Sequence, residues 1–265
     1  MNGDFFLRNR STVAIVTGGT QGLGLAIARR LAREGAHGLL LSGRNADKGE
    51  SAAASIRSLG TNCVFVKADV SAPEDCFRLV ETSLKHFGTV NGLVNSAAAA
   101  DRGTLLDTSP ELWDRIFHTN ARGPFLLIQG VVRHLVETGQ AGSIVNILSM
   151  VAHCGQSYLT AYSASKGALA TLTKNVANAY AAKRIRCNGI LTGWMDTPGE
   201  SATQQKFHGV DKDWLAKAEA AQPMGQLAKP DQVAGLAAYL ISPESGVMTG
   251  SLIDYDQRVS GAYPE

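Results

Sequence analysis

The sequence predicts an α/β protein: a parallel sheet with helices packed on both faces. Three observations carry that expectation. Short apolar runs rich in β-branched residues alternate with helical stretches along the chain. The first run leads through a glycine cluster, Gly18-Gly19-Thr20-Gln21-Gly22-Leu23-Gly24, straight into a helix. The polar residues with chemical capability fall at the carboxyl ends of the runs or on the helices beside them, where an open parallel sheet binds its ligands.

Thr12 to Thr17 reads as a first strand buried on both faces, and Leu25 to Glu34 as a helix with Ile27, Ala28 and Leu31 on one side. Strand, glycine turn and helix together predict a dinucleotide site built from Gly18, Gln21, Gly22, Leu23 and Gly24. Glycines let main chain approach a pyrophosphate, and the helix start offers unpaired N–H groups and a positive dipole end. Gly38 to Ser42 is a second strand, followed by Gly43-Arg44-Asn45. An acid here would accept from a ribose 2′-hydroxyl and favour NAD. Gly43 takes its place, and Arg44 suits a 2′-phosphate by charge and by its planar donor fork. NADP is therefore expected, with NAD as the alternative.

Asp47 to Leu59 reads as a helix and Asn62 to Lys67 as a third strand, with Asp69-Val70 at its carboxyl end. Pro73 opens a helix that runs to Phe87 and stops at Gly88. Asn91 to Val94 is a fourth strand, leading to Asn95, which could hold backbone there. Ser109 caps a helix with Pro110 at its first position and Trp113, Ile116 and Phe117 as core. Asn120, poor in a helix by propensity, follows as a candidate for a polar role. Gly142 to Ser149 is a fifth strand whose final hydroxyl could donate to a substrate oxygen. Arg184 to Leu191 is a sixth, Pro230 to Leu240 a further helix, Ser251 to Tyr255 a last strand, and Asp256 to Glu265 a polar tail. Residues 192–225, mixing aromatic and charged side chains, read as a partly helical lid. No linker divides the chain, so residues 1–265 are expected to form one domain.

Composition narrows the classes. Of 265 residues, 45% are hydrophobic and 18% charged, ordinary for a globular protein. A formal net charge of +2 gives no reason to expect a nucleic-acid or membrane partner. No apolar run is long enough to span a bilayer, and the first ten residues lack a secretion signal's apolar core. Cys63, Cys76, Cys154 and Cys187 are widely spaced, which argues against a zinc site or a disulfide framework and makes the cytoplasm the default location.

Tyr162-Ser163-Ala164-Ser165-Lys166 carries the chemistry. In a helix, Tyr162 and Lys166 share a face. An ammonium about 4 Å from a phenol is worth up to ~4 kcal/mol at an effective dielectric of ~20, enough to bring the phenol's pKa from about 10 toward neutrality. A tyrosine so placed exchanges a proton with an alcohol or carbonyl.

With Thr17-Gly18-x-x-x-Gly22-x-Gly24, Asp69, Asn95, Asn120, Ser149 and Tyr162-x-x-x-Lys166 in this order, the chain resembles the short-chain dehydrogenase/reductase family over nearly its whole length. The resemblance implies a Rossmann-type, doubly wound parallel sheet of seven strands. It implies a catalytic tetrad of Asn120, Ser149, Tyr162 and Lys166. In that tetrad Tyr162 is the general acid/base and Ser149 orients the substrate oxygen. Lys166 binds the nicotinamide ribose and lowers the phenol's pKa, and Asn120 holds a water behind it. It also places Asp69 and Val70 beside the adenine, Asn95 in the cofactor wall and Thr197 at the carboxamide. It implies a homodimer or homotetramer. Three places depart from the family pattern: Asn95-Ser96-Ala97 for Asn-Ala-Gly, Thr192-Gly193 for Pro-Gly, and Asp256-Gln257-Arg258 for Asp-Gly-Gly.

The expected activity is hydride transfer between NADP(H) and a secondary alcohol or ketone. Asp101, Arg102, His153, Gln156, Tyr158, Trp194 and Trp214 are the candidate substrate lining, leaning toward a small polar substrate such as a sugar, polyol, hydroxy acid or ketoester. A non-catalytic dinucleotide sensor on the same fold is the main alternative, and an epimerase or dehydratase a third.

Overall fold

The seven expected strands all form and run parallel: β1 Val13–Thr17, β2 Gly38–Gly43, β3 Asn62–Lys67, β4 Gly92–Asn95, β5 Gly142–Ser149, β6 Ile185–Thr192 and β7 Leu252–Tyr255. Their order across the sheet is β3-β2-β1-β4-β5-β6-β7. The computed structural model of the protein describes residues 7–211 and 213–262. Residues 1–6 of the amino-terminal reading and 263–265 of the polar tail lie outside them.

The strand sequences are apolar throughout because both faces are covered. Ala14 and Val16 of β1, with Leu39 and Leu41 of β2, pack into one core. Ile15 and Leu40 between them point into the other. On the first face lie α1 (Gly22–Arg33), α2 (Ala46–Arg57) and α10 (Pro230–Ile241), supplying Ile27, Leu31, Ile56 and Val233. On the second lie α3 (Pro73–Phe87), α5 (Gly123–Thr138) and α7 (Thr160–Tyr180), supplying Leu79, Leu127, Val131 and Val176. A period of two, hidden in a continuous run, thus becomes a three-layer sandwich.

Caps behave as the residue types require. Asn45 accepts from the Lys48 N–H at 2.8 Å to start α2, and Ser109 accepts from the Leu112 N–H to start α4 (Pro110–Phe117). Gly88 ends α3 in a left-handed conformation, with φ 76°. The α5 helix goes beyond the sequence expectation. It runs on from α4 through a π turn at His118–Arg122, so the two form one continuous helical stretch. Trp113 is not core: 37% exposed, it stacks on Phe117 at 4.7 Å, while Ile116 of the same helix is buried. A short helix, α6 (Val151–Cys154), is likewise additional, and α8 (Pro198–His208) and α9 (Trp214–Ala220) give the 192–225 segment its helical parts. No helix among the described residues is long and apolar enough to cross a membrane.

Candidate active site

The carboxyl ends of all seven strands open on one cleft of about 1610 Å³. Its floor runs from Gly18 after β1, through Ser42 and Gly43 at the end of β2 and Asp69 after β3, to Ser149 and Thr192 ending β5 and β6. The strand order reverses between β1 and β4, which is where doubly wound sheets bind nucleotides.

The glycine turn is shaped by close approach. Gly18 sits at φ 63°, and a Cβ there would lie 3.0 Å from the Ala97 backbone. A Cβ on Gly24 would overlap the Gly18 carbonyl. Gln21 caps α1 with its backbone extended and no side-chain capping bond, its Oε1 accepting instead from Lys48 Nζ at 3.0 Å, and the first turn carries no acid. The N–H groups there stay free for an anion, as a pyrophosphate requires. Gln21, Gly22, Leu23 and Gly24 all line the cleft. Arg44 lines it too, and a Cβ on Gly43 would come within 2.7 Å of the Thr20 methyl, so a larger residue there meets resistance. The Ser42 hydroxyl is buried without a partner, an orphan donor beside Arg44 that a phosphate or ribose oxygen would satisfy. Asp69 and Val70 line the cleft where the adenine is expected, with the Asp69 carboxylate accepting from Ser71 N–H (2.9 Å) and hydroxyl (2.7 Å). These residues fit a dinucleotide.

Of the expected tetrad, Ser149 and Tyr162 line the cleft, while Lys166 and Asn120 stand behind it, 3% and 0% exposed. Helical spacing stacks Lys166 on Tyr162, its Nζ 5.6 Å from the ring centre. That Nζ donates to the Ile147 carbonyl at 2.7 Å, and burial lowers its pKa to about 8. The Tyr162 phenol moves the other way from expectation. Burial raises its pKa, against the pull of the Ser149 hydroxyl and the Arg102 charge, and Glu200 adds to the rise. Desolvation outweighs the Arg102 charge and the Ser149 hydrogen bond.

Asn120 is placed by the π turn. Its Oδ1 accepts from the Ala99 N–H at 2.8 Å, and its Nδ2 donates to the Ala99 carbonyl at 2.9 Å and the Ser165 hydroxyl at 3.0 Å. The side chain therefore clamps the loop after β4 to α7, and its amide is taken up in those bonds. Asn95 does not hold the strand-end backbone. Its Nδ2 donates to Asn146 Oδ1 at 2.8 Å, inside the sheet. Thr17 holds that backbone instead, its hydroxyl accepting from the N–H groups of Ser96 (3.0 Å) and Ala97 (3.1 Å). The sequence pattern includes Thr17 in the motif without giving it a role. A threonine ending a strand just before the glycine turn is the available signal.

Thr197 lines the cleft and caps α8, accepting from the Glu200 N–H at 3.0 Å. Of the expected substrate lining, Asp101, Arg102, Gln156, Tyr158 and Trp194 face the cleft. His153 and Trp214 do not. His153 turns to Asp254 at 2.8 Å, and Trp214 is buried against Ala218 and Leu227. Sequence reasoning misses Glu200 and Arg258, which line the cleft from α8 and from beyond β7.

Comparison with known proteins fits this geometry. A family model described as enoyl-(acyl carrier protein) reductase matches residues 18–257. A cis-4-hydroxycyclohexanecarboxylate dehydrogenase of Sinomonas cyclohexanicum is 32% identical over 245 residues, covering 92% of this chain and 94% of that protein. An NADP-dependent (R)-specific alcohol dehydrogenase of Lentilactobacillus kefiri is 35% identical over 247 residues, with 92% and 94% covered. A crystal structure of an actinorhodin polyketide ketoreductase variant with NADPH matches with a TM-score of 0.89 at 29% identity, covering 95% of this chain and 98% of that one. With the family matched across nearly all of the chain, and the glycine turn, Ser149 and Tyr162 gathered at one cleft with Lys166 behind, this chain belongs to the short-chain dehydrogenase/reductase family, whose members are oxidoreductases acting on alcohol and ketone groups.

Proposed function

We propose that this protein transfers a hydride between NADP(H) and a secondary alcohol or its ketone on a small polar substrate, with Tyr162 as general acid/base. The observation that carries the reading is the placement of Ser149 and Tyr162 on the same cleft as the glycine turn, with Lys166 one helical turn behind the phenol. The dinucleotide supplies the hydride chemistry. Everything else falls to this chain. The Gly18–Gly24 turn and the start of α1 would hold the pyrophosphate, Arg44 and Ser42 the 2′-phosphate, and Thr197 the carboxamide end.

In reduction, Tyr162 breaks its O–H bond and gives the proton to the substrate oxygen, which leaves as an alcohol. The Ser149 hydroxyl donates to that same oxygen and fixes it. The phenolate left behind faces the Lys166 ammonium. At 5.6 Å from the ring centre, that charge is worth about 3 kcal/mol at an effective dielectric of ~20. It works against the burial that raises the free phenol's pKa, which stays the larger effect before the proton leaves. In oxidation the proton moves back.

NADP over NAD is supported by Arg44 and the orphan Ser42 hydroxyl at the end of β2. The Lentilactobacillus relative is named as NADP-dependent and the ketoreductase was crystallised with NADPH, which points the same way. The 192–225 segment forms one wall of the cleft with Trp194, Glu200 and Phe207, supporting its role as a lid. The exposed apolar side chains Trp113 and Phe125 on α4 and α5 suit an oligomer, which light scattering would measure. A dinucleotide sensor has no observation in its favour, since all four tetrad positions are filled.

The deciding experiment is Tyr162→Phe. It should lose most of kcat while NADPH binding, followed by fluorescence titration, stays at the parent value. Near-parental turnover by that variant would refute the mechanism.

A further inference from the structure

We propose that Arg102 binds a carboxylate, and that the substrates of this enzyme are hydroxy or oxo acids. This inference narrows the substrate class left open above and rests on that reading of the cleft.

The placement of Arg102 is fixed by main chain. Gly103 bridges to Leu159: its N–H donates to the Tyr158 carbonyl at 3.0 Å, and its carbonyl accepts from the Thr160 N–H at 3.1 Å. The loop after β4 is thereby stitched to the residues that lead into α7. Arg102 comes one residue before the stitch and Tyr162 three residues after it. The guanidinium is thus held beside the start of the helix that presents the phenol. Its field reaches that phenol and opposes the rise that burial imposes on its pKa.

The guanidinium is poorly matched by the protein around it. Only 15% of the side chain is exposed. One Nη donates to the Ala100 carbonyl at 3.1 Å, and the Tyr158 ring lies 5.6 Å from Cζ. Nε is enclosed and has no partner. Glu200 Oε1 stands 3.9 Å away, beyond hydrogen-bond distance, and already accepts from Trp194 Nε1 at 2.8 Å and Gln204 Nε2 at 2.7 Å. An arginine always carries its charge, and its five donors are costly to leave unmatched in a sheltered place.

Two further cations of the cleft lining are differently placed. Arg115 and Lys206 are drawn to Asp101 at 3.4 and 3.8 Å. Arg102 lines the cleft without a carboxylate in hydrogen-bond reach, and its charge acts on the phenol. A hydroxyl of a sugar or polyol would satisfy one donor and none of the charge. A planar carboxylate satisfies two donors and the charge together. A phosphate dianion would meet the nearby Glu200 with twice the repulsion.

The test separates binding from turnover. Benzoate and butyrate are titrated by calorimetry into the protein with NADP present, against benzamide and butyramide. The parent should bind each acid roughly ten- to a hundredfold more tightly than its amide. Arg102→Gln should collapse that ratio while binding NADP as the parent does, which reports its folding. Arg102→Lys should keep part of the ratio, and Glu200→Gln should raise it by relieving repulsion. In turnover, the kcat/KM ratio of a 3-oxo acid over its methyl ester should fall in Arg102→Gln, through KM. Equal affinity for acids and amides in the parent, or a ratio that survives Arg102→Gln, overturns the proposal. A protein that distinguishes acid from amide and transfers no hydride sinks the oxidoreductase reading instead and leaves the carboxylate site standing. One that reduces esters as well as acids does the reverse.

Discussion

The two ends of the cleft are built from different materials. At the dinucleotide end the surface is main chain. Gly18, Gly22 and Gly24 bring backbone forward, α1 aims its free N–H groups outward, and Thr17 ties the neighbouring loop down through two backbone N–H groups. At the proposed substrate end the surface is long side chains reaching across from separate segments: Arg102 toward Glu200 and Lys206 toward Asp101. Backbone geometry tolerates almost no substitution and recognises a part common to every dinucleotide. Side-chain bridges can be exchanged one at a time, which lets a family keep one cofactor and vary its substrates.

The sharpest way to break that contrast is at Gly24. A side chain there must push the Gly18 carbonyl out of the turn. Gly24→Val should weaken NADPH binding by about a hundredfold, equivalent to about 3 kcal/mol. Overpacking should also lower stability by roughly 1–3 kcal/mol. A fluorescence titration giving parental affinity would mean that the turn is not where main chain meets the cofactor.

Lys166 stands between the two ends, and its effect depends on pH. Burial lowers its pKa from 10.5 to about 8. Below pH 8 the folded chain holds a charged, desolvated amine and carries the full cost. Between pH 8 and 10.5 the unfolded chain keeps a proton that the folded chain has lost, so stability gains as pH rises and the cost fades. At ~1.4 kcal/mol per pH unit the cost at neutral pH is about 3 kcal/mol. Lys166→Met should therefore be the more stable protein at pH 7 and lose that advantage toward pH 10.5, while its turnover falls. Urea unfolding of both proteins across the range measures it. A stability difference that stays flat with pH would show that the amine is not held desolvated.

At Arg44 the two ends can be compared by specificity. Arg44→Gln should reduce the NADP over NAD preference in kcat/KM by roughly ten- to a hundredfold, the worth of a charge-assisted bond to the 2′-phosphate. Turnover with NAD should change little. A parent enzyme that already prefers NAD would remove the role assigned to Arg44.

The same contrast explains what is legible in the sequence. The strands, the glycine turn and the Tyr162–Lys166 pair are local patterns, written in a few adjacent residues: the strands and the turn form, and Tyr162 and Lys166 share a helix face. Asn120 is visible as an oddity in a helix, but the π turn that drops it onto Ala99 depends on contacts with α7. The Tyr162 phenol departs from expectation because proximity to a cation can be read from i, i+4 spacing, whereas burial depends on the whole fold. Trp113 and Trp214 lie opposite to their expected places, since an aromatic residue carries no local mark of which surface it meets. Glu200 escapes notice because its partners, Trp194 and Arg102, come from two separate stretches of chain.

The smallest effect tests the departure at the carboxyl end. Where the family pattern has glycine, Gln257 reaches back to Met224 and Gln226. Its Oε1 accepts from the Met224 N–H and its Nε2 donates to the Gln226 carbonyl, both at 2.7 Å. Asp256, beside it, packs so closely on Gly193 that a Cβ there would collide with its carboxylate. The residues after β7 therefore pack on Gly193 near one end of the 192–225 segment and bond Met224 and Gln226 at and just beyond the other. Met224 is 72% exposed, so water competes for the bond and the latch is worth about 1 kcal/mol or less. Gln257→Ala should leave the melting temperature almost unchanged, speed amide hydrogen exchange at residues 222–226, and raise KM for substrate a few-fold at constant NADPH affinity. Exchange rates equal to the parent's would mean that the segment is held by Lys229 and the Trp214 cluster alone, and that the substrate wall needs no help from the chain terminus.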